Sequence, residues 1–200
     1  MKTFTTLLFA VLVAAGSLTA QTMWKGDKSH SRVEFTVTHM LVSEVTGRFT
    51  DFDVMLEQGA DDFSGSKIQA TIKVASVSTD NEYRDKHLRS DDFFNADSFP
   101  TMTFKSTKFE KTGKDSYLIT GDLTIRNVTK SVVLVTVLKG RYSDSKGNAK
   151  VGFKATTTID RFEFGTKWDK TIEAGGLVVS KEVDIKLLFE FNKQVPAESK

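Results

Sequence analysis

Apolar and polar residues alternate one by one in short runs along most of the chain, which is the pattern of β-strands with one buried face. Val33, Phe35 and Val37 form one such run, and polar residues separate them. Helical periodicity is rare. The alternation predicts an all-β fold of eight strands, centred on residues 33–37, 52–56, 68–74, 102–104, 117–125, 132–138, 151–156 and 183–191.

Short polar segments separate several of these runs, for example residues 58–62, 112–115 and 143–148. Their Gly, Asp and Asn residues suit tight turns. Links this short cannot hold the crossover that a parallel pair needs, so we expect antiparallel neighbours. An eight-stranded antiparallel barrel removes the exposed sheet edges, and a two-sheet sandwich is the competing architecture.

Two segments break the alternation. Residues 79–99 are rich in charge, and Asp80 or Asn81 can serve as an N-cap, which predicts a short helix near residues 81–89. Residues 161–176 hold several aromatic residues and a Gly pair, and we expect a long loop there with a helical turn.

The first twenty residues have the three parts of a Sec signal peptide: Lys2, an apolar run at residues 7–15, and small residues up to Ala20. The apolar run is shorter than the roughly 20 residues that span a bilayer. We therefore predict a signal peptide at residues 1–20, one domain at 21–193 and a short tail at 194–200. The expected location is the periplasm or the medium.

Composition excludes several classes of function. The chain has no cysteine, so it cannot form disulfides, thiolate metal sites or a cysteine nucleophile. Its formal net charge of +2 is too small for a nucleic-acid footprint. With 39% hydrophobic and 27% charged residues it is expected to be globular, and its 16 Phe point to an interior lined or filled with phenyl rings.

No sequence motif indicates an enzyme. The chain lacks the Gly-x-Ser-x-Gly pattern of a nucleophile elbow. His30 and His39 flank one predicted strand at a separation on the order of 30 Å, which argues against a shared metal ion. We predict no catalytic residues, no metal and no cofactor. A metalloenzyme that uses the three His remains the alternative in the enzyme class.

Several ordered motifs resemble the YceI-like family of secreted bacterial lipid- or polyisoprenoid-binding proteins, over roughly residues 23–192. The resemblance rests on the segments at 27–31 (DKSHS), 33–40 (VEFTVTHM), 45–49 (VTGRF), 76–79 (SVST), 84–88 (RDKHL), 91–94 (DDFF), 99–106 (FPTMTFKS) and 121–130 (GDLTIRNVTK).

This resemblance implies an extended, lipocalin-like, eight-stranded antiparallel β-barrel. Its apolar tunnel would hold an isoprenoid or fatty-acyl-type chain, with the protein acting as a carrier or buffer. Periodicity alone does not distinguish a lined tunnel from a filled core, since both show the same alternation. A stress-response or interaction domain with a filled core is therefore the second alternative.

If the tunnel exists, the alternation selects the side chains that line it. Arg84, Asp85 and His87 are candidates for a head-group contact or for fixing the helix against the barrel. The expected partner is an apolar lipid, with transient membrane contact and no nucleic acid, and the oligomeric state stays open, a dimer included. The predicted lining residues are Val33, Phe35, Val37, Phe52, Val54, Ile72, Phe104, Ile119, Leu123, Val135, Phe153, Leu187 and Phe189.

Overall fold

The computed structural model describes residues 21–173 and 175–195. The predicted signal peptide lies outside this range, as do the last five residues of the predicted tail. The described chain forms one helix, α1 (Glu82–Arg89), two 3₁₀ turns (Val74–Ser76 and Arg161–Phe164) and eleven strands. The strands are β1 (Met23–Gly26), β2 (Arg32–His39), β3 (Ser43–Phe49), β4 (Phe52–Glu57), β5 (Lys67–Lys73), β6 (Val77–Ser78), β7 (Thr101–Lys111), β8 (Ser116–Ile125), β9 (Val128–Ser143), β10 (Ala149–Asp160) and β11 (Glu182–Lys193).

Eight strands close into a barrel in the order β1-β4-β5-β7-β8-β9-β10-β11, and β1 pairs with β11 to complete the ring. Trp24 of β1 pairs with Leu56 on one side and Lys193 on the other. Each of these pairings is antiparallel, as the short turns predict. The barrel fold is therefore confirmed, and the sandwich alternative is wrong.

The alternation did not predict β1, β3 and β6. Of these, β1 belongs to the barrel ring, whereas β3 and β6, together with the predicted strand β2, extend one end of the barrel. The last residues of β11 pair with β1, and Asp184–Leu188 of β11 pair with β2. β1 and β2 therefore follow one another along the same edge of β11, with a bend at residues 27–31. β3 pairs with β2, and β6 pairs with β3. β1 and β6 are too short to show a period of two, and most of β3 is polar or exposed.

The predicted helix is present, and it begins directly after a residue whose side chain caps its N-terminus. The side chain of Asn81 accepts a hydrogen bond from the backbone N–H of Arg84 at 2.9 Å. At the other end, Arg89 donates to the carbonyls of Ala75 and Val77. No helix in residues 21–173 and 175–195 is long and apolar enough to cross a membrane.

One end of the barrel is closed by aromatic side chains from the β4–β5 loop and the neighbouring strands. The Phe63 ring lies 5.8 Å from the Trp24 ring and 5.3 Å from the Phe153 ring, measured between centroids. The Tyr117 hydroxyl donates to the Asp62 carbonyl at 2.7 Å. Phe63 and Tyr117 are each only 1% exposed. We call this the closed end.

The opposite end carries α1, the β2–β3 turn and residues 161–173 and 175–181, and we call it the mouth. A 3₁₀ turn at Arg161–Phe164 starts the last segment, as predicted for this region. Backbone hydrogen bonds join that segment to β2, from Met40 N to the Val178 carbonyl at 2.8 Å and from Ser180 N to the Thr38 carbonyl at 2.9 Å. The mouth is therefore built from two loops and a helix.

Candidate ligand-binding cavity

The barrel encloses a cavity of about 420 Å³ whose lining is almost entirely apolar. This volume lies within the roughly 300–1,000 Å³ of small-molecule sites. The cavity runs from Phe153 and Phe191 near the closed end to His39 and Tyr83 at the mouth. Tyr83 is 86% exposed, so the cavity opens to solvent there.

Inward side chains on β11 show that the interior is unfilled. Ile185 pairs with Phe35 and Leu187 pairs with Val33, so these side chains point to the same face as buried residues. Ile185 and Leu187 are nevertheless only half-buried, because they border the cavity. A close-packed core would cover them. The filled-core alternative therefore does not describe this barrel.

Two glycines leave room for phenyl rings against the barrel wall. A Cβ atom added to Gly47 would lie 2.3 Å from Cζ of Phe35, and one added to Gly121 would lie 2.4 Å from Cζ of Phe104. Each ring therefore occupies the space where a neighbouring side chain would stand, a known use of aromatic residues beside strand glycines. This placement keeps both rings at the wall of the lumen.

Arg84 and Asp85 meet at Thr79, just before the helix. Arg84 donates from Nε to the Thr79 hydroxyl at 2.7 Å, and that hydroxyl donates to the Asp85 carboxylate at 2.6 Å. The Thr79 N–H donates to the same carboxylate. Arg84 lines the cavity, whereas Asp85 is buried and does not. Asp85 is thus placed to fix the start of α1 to the barrel.

His87 lies in an aromatic group at the mouth. Its ring is 5.1 Å from the Phe93 ring and 5.8 Å from the Trp168 ring, and it meets both edge to face. Its Nε2 is hydrogen-bonded to the Asp92 carboxylate at 2.8 Å. His87, Phe93 and Trp168 all line the cavity, so this group forms part of the mouth.

Arg161 is a buried cation that the sequence did not single out. Its guanidinium donates to the carbonyls of Ser180 at 2.9 Å, Trp168 at 2.7 Å and Val179 at 3.2 Å. Burial lowers the pKa of Arg161 from its ordinary value. These bonds hold Trp168, Val179 and Ser180 beside the cavity. Sequence reasoning missed Arg161 and Trp168 because residues far apart along a loop show no period.

Most of the predicted lining residues border the cavity, but two do not. Val135 is 56% exposed and points outward, so its assignment was wrong. Phe52 faces inward, but its ring is buried against the Phe189 ring at 5.7 Å and does not reach the cavity. The predicted residues on the cavity wall are Val33, Phe35, Val37, Val54, Ile72, Phe104, Ile119, Leu123, Phe153, Leu187 and Phe189.

The three histidines do not come together. His39 and His87 line the mouth, while His30 lies at the β1–β2 bend with Asp27 and Glu190, the one grouping of potential metal ligands in the described residues. A hydrogen bond with His30 is the main cause that lowers the pKa of Asp27 to about 2. Glu190 is paired with Lys150 at 2.5 Å. The side chains of Asp27, His30 and Glu190 are therefore already paired with one another or with Lys150.

An antiparallel barrel with an open apolar interior and a helix at its mouth defines a lipocalin-like β-barrel. Comparison with family models then identifies the family. The YceI-like domain model matches residues 24–191, and the chain belongs to that family. The resemblance found in the motifs is thus confirmed.

Individual relatives agree with this assignment. A UPF0312 protein of Staphylococcus aureus (strain USA300) is 37% identical over 167 residues, which cover 83% of this chain and 95% of that protein. The crystal structure of a Campylobacter jejuni YCEI protein is 29% identical and covers 95% of this chain and 100% of its own, with a TM-score of 0.69. A polyisoprenoid binding domain from Saccharophagus degradans has a TM-score of 0.63, covers 86% of this chain and 98% of its own, and at 14% identity shares the fold alone.

Proposed function

We propose that this chain is an exported lipid-binding protein that holds an isoprenoid or fatty-acyl-type chain in its cavity and acts as a carrier or buffer. The observation that carries this proposal is the open apolar cavity with half-buried inward side chains such as Leu187. The description of the Saccharophagus degradans barrel as a polyisoprenoid binding domain supports the same ligand class. Binding without catalysis is part of the proposal.

The lining decides what part of a ligand can enter. Deep in the cavity, side chains such as Ile119, Leu134 and Phe153 offer no hydrogen-bond partner. A polar ligand group placed there would lose its hydration without compensation, which is costly. The inserted part of the ligand is therefore apolar.

Exchange with a membrane is compatible with such a site. Burial of each CH₂ group from water is worth about 0.8 kcal/mol. A chain that comes from a bilayer is already in an apolar medium, so its transfer into the cavity gains little hydrophobic free energy. Shape and the polar head group must then provide selectivity, and the ligand can leave again, as a carrier or buffer requires.

The difference between the two ends of the barrel supports one direction of ligand entry. The aromatic side chains at the closed end block that route, so the chain enters from the mouth. Its head group then lies near Arg84 and His87, which line the cavity at that end. Asp85 is buried under the helix and serves to position it.

Export rests on the sequence of residues 1–20, which lie outside the described residues. Cleavage after Ala20 would release the protein into the periplasm or the medium. Mass spectrometry of the protein recovered from the exported fraction of its host tests this directly. An N-terminus at Gln21 supports the proposal, and an uncleaved chain found only inside the cell contradicts it.

The central test identifies the ligand. The protein is purified from the exported fraction, extracted with organic solvent, and the extract is analysed by mass spectrometry. A stoichiometric isoprenoid or acyl species is the expected result. If no lipid is recovered, while lipid added as a control is recovered, the proposed function is wrong.

A matched pair of variants locates the binding site. Phe104→Asp places a carboxylate in the cavity lining, whereas Val135→Asp places one on the outer wall. We expect Phe104→Asp to lose the lipid and Val135→Asp to keep it, with circular dichroism showing that both are folded. Lipid retained by folded Phe104→Asp would contradict a site in the cavity.

A further inference from the structure

The β2–β3 turn exposes three apolar residues in succession. Met40, Leu41 and Val42 are 47%, 66% and 85% exposed. Met40 and Leu41 also have positive φ angles of 49° and 62°, a region that Gly, Asn and Asp tolerate best. We call residues 40–42 the apolar turn. The apolar turn therefore combines a strained backbone with apolar side chains that are exposed to water.

Phe63 shows how the same strain is compensated elsewhere in this protein. Its φ angle is 65°, but its side chain is 1% exposed and packs against Trp24 and Phe153. Burial of the phenyl ring offsets the strained backbone at the closed end. In the described chain the apolar turn has no equivalent burial, so its benefit must come from something that covers it.

The apolar turn is held in place beside the cavity opening. The Met40 N–H donates to the Val178 carbonyl, and the Leu41 side chain lies over Gly176. His39, directly before the turn, lines the cavity. Tyr83, on α1, lines the same cavity and is 86% exposed. The three residues of the apolar turn and Tyr83 thus place exposed apolar surface beside the opening.

We propose that the apolar turn and Tyr83 form a docking surface that inserts into the face of a lipid bilayer. Four side chains are far fewer than the roughly 20–30 residues that each side of a stable protein interface contributes. A bilayer needs no complementary shape and accepts small protruding apolar groups. Docking at this point would let an apolar chain pass between bilayer and cavity without crossing water. That transfer role rests on the proposed function, whereas insertion itself does not.

Vesicle binding by two matched variants tests the proposal. The turn variant is Leu41→Asn/Val42→Ser, and it preserves the fold because Asn is favoured at positive φ. The wall variant is Val133→Thr/Val135→Thr, which removes exposed apolar groups from the outer face of β9. Both are purified after export, and co-sedimentation is measured with phosphatidylcholine vesicles, with and without phosphatidylglycerol.

We expect the turn variant to partition to vesicles at least about tenfold more weakly than the unmodified protein, because partial burial of two aliphatic side chains is lost. The wall variant should stay within about twofold. No vesicle binding by the unmodified protein, or equal losses in both variants, would overturn the proposal. Vesicle binding without any extractable lipid would leave docking intact and contradict the proposed function instead.

A fluorescent label distinguishes the bilayer from a second copy of the chain. Because the chain has no cysteine, Val42→Cys and Val135→Cys each offer one labelling site for an environment-sensitive dye. A blue shift on vesicle addition at position 42 and none at 135 is expected. A shift at position 42 that depends on protein concentration without vesicles would indicate self-association and refute the bilayer as the occupant.

Discussion

The two ends of the barrel use the same kinds of residue for opposite purposes. At the closed end, Phe63 and Tyr117 are buried in mutual aromatic contact with Trp24 and Phe153. At the mouth, aromatic side chains such as Tyr83 border open space. The closed end therefore contributes packing energy, and the mouth provides access.

This difference teaches how a small barrel can be both stable and hollow. Interior residues normally gain stability from close packing, and an unfilled interior gives up part of that gain. Here the compensation is concentrated at one end, where Arg141 also covers the Phe63 ring at 4.7 Å. Substitutions at the two ends should therefore have very different effects on the free energy of unfolding.

The largest effect is expected for Phe63→Ala. Removal of this fully buried ring should lower the free energy of unfolding by about 3–5 kcal/mol. Leu41→Ala, at the exposed turn of the mouth, should change it by no more than about 0.5 kcal/mol. Urea denaturation followed by circular dichroism measures both. Similar losses for the two variants would show that the ends do not differ in this way.

Gly121→Ala tests the wall between the two ends. The new methyl group would collide with the Phe104 ring and with the Lys105 carbonyl, so we expect a loss of about 1–3 kcal/mol in unfolding free energy and weaker lipid retention. Gly140→Ala is the matched control, since nothing lies within 4 Å of a Cβ there. An unchanged urea midpoint for Gly121→Ala would contradict the tight contact.

A pair of Tyr→Phe substitutions makes a finer comparison. Tyr117→Phe removes the hydrogen bond to the Asp62 carbonyl and should lower the free energy of unfolding by about 0.5–1.5 kcal/mol. Tyr83→Phe removes a hydroxyl that is exposed at the mouth and should leave stability nearly unchanged. Chemical denaturation of both variants under one set of conditions decides between this outcome and equal effects.

The smallest expected effect is a change in how the stability of the protein depends on acidic pH. Hydrogen bonds from Ser64 and from Lys111 hold the pKa of Asp62 well below its ordinary value of 3.8. The unfolded chain therefore binds a proton more readily than the folded protein, so this stabilisation is present above about pH 4 and is lost as the pH falls further. Asp62→Asn should flatten the decline of the urea midpoint between about pH 4 and pH 2. If the urea midpoint of Asp62→Asn declined with pH as that of the unmodified protein does, other carboxylates would be the cause of the decline.

Prediction from sequence succeeded where local pattern and tertiary environment agree. The strand around Phe35 and the helix capped by Asn81 are both found where the residues indicated them. It failed at β9, where valines occupy both faces: Leu134 points inward and Val135 outward. The register of pairing with β8 decides which face of β9 is buried, because a register shift of one residue moves every side chain to the opposite face.

The sequence by itself determined eight of the eleven strands, the antiparallel order of neighbours, the helix and the family, because each depends on residues close together along the chain. Only the tertiary structure decided that the interior is hollow and that one end is closed by Phe63. It also brought Arg161 and Trp168 to the mouth. The physical reason is that a cavity is space between strands distant in sequence, and alternation marks which residues face inward without stating what they meet there.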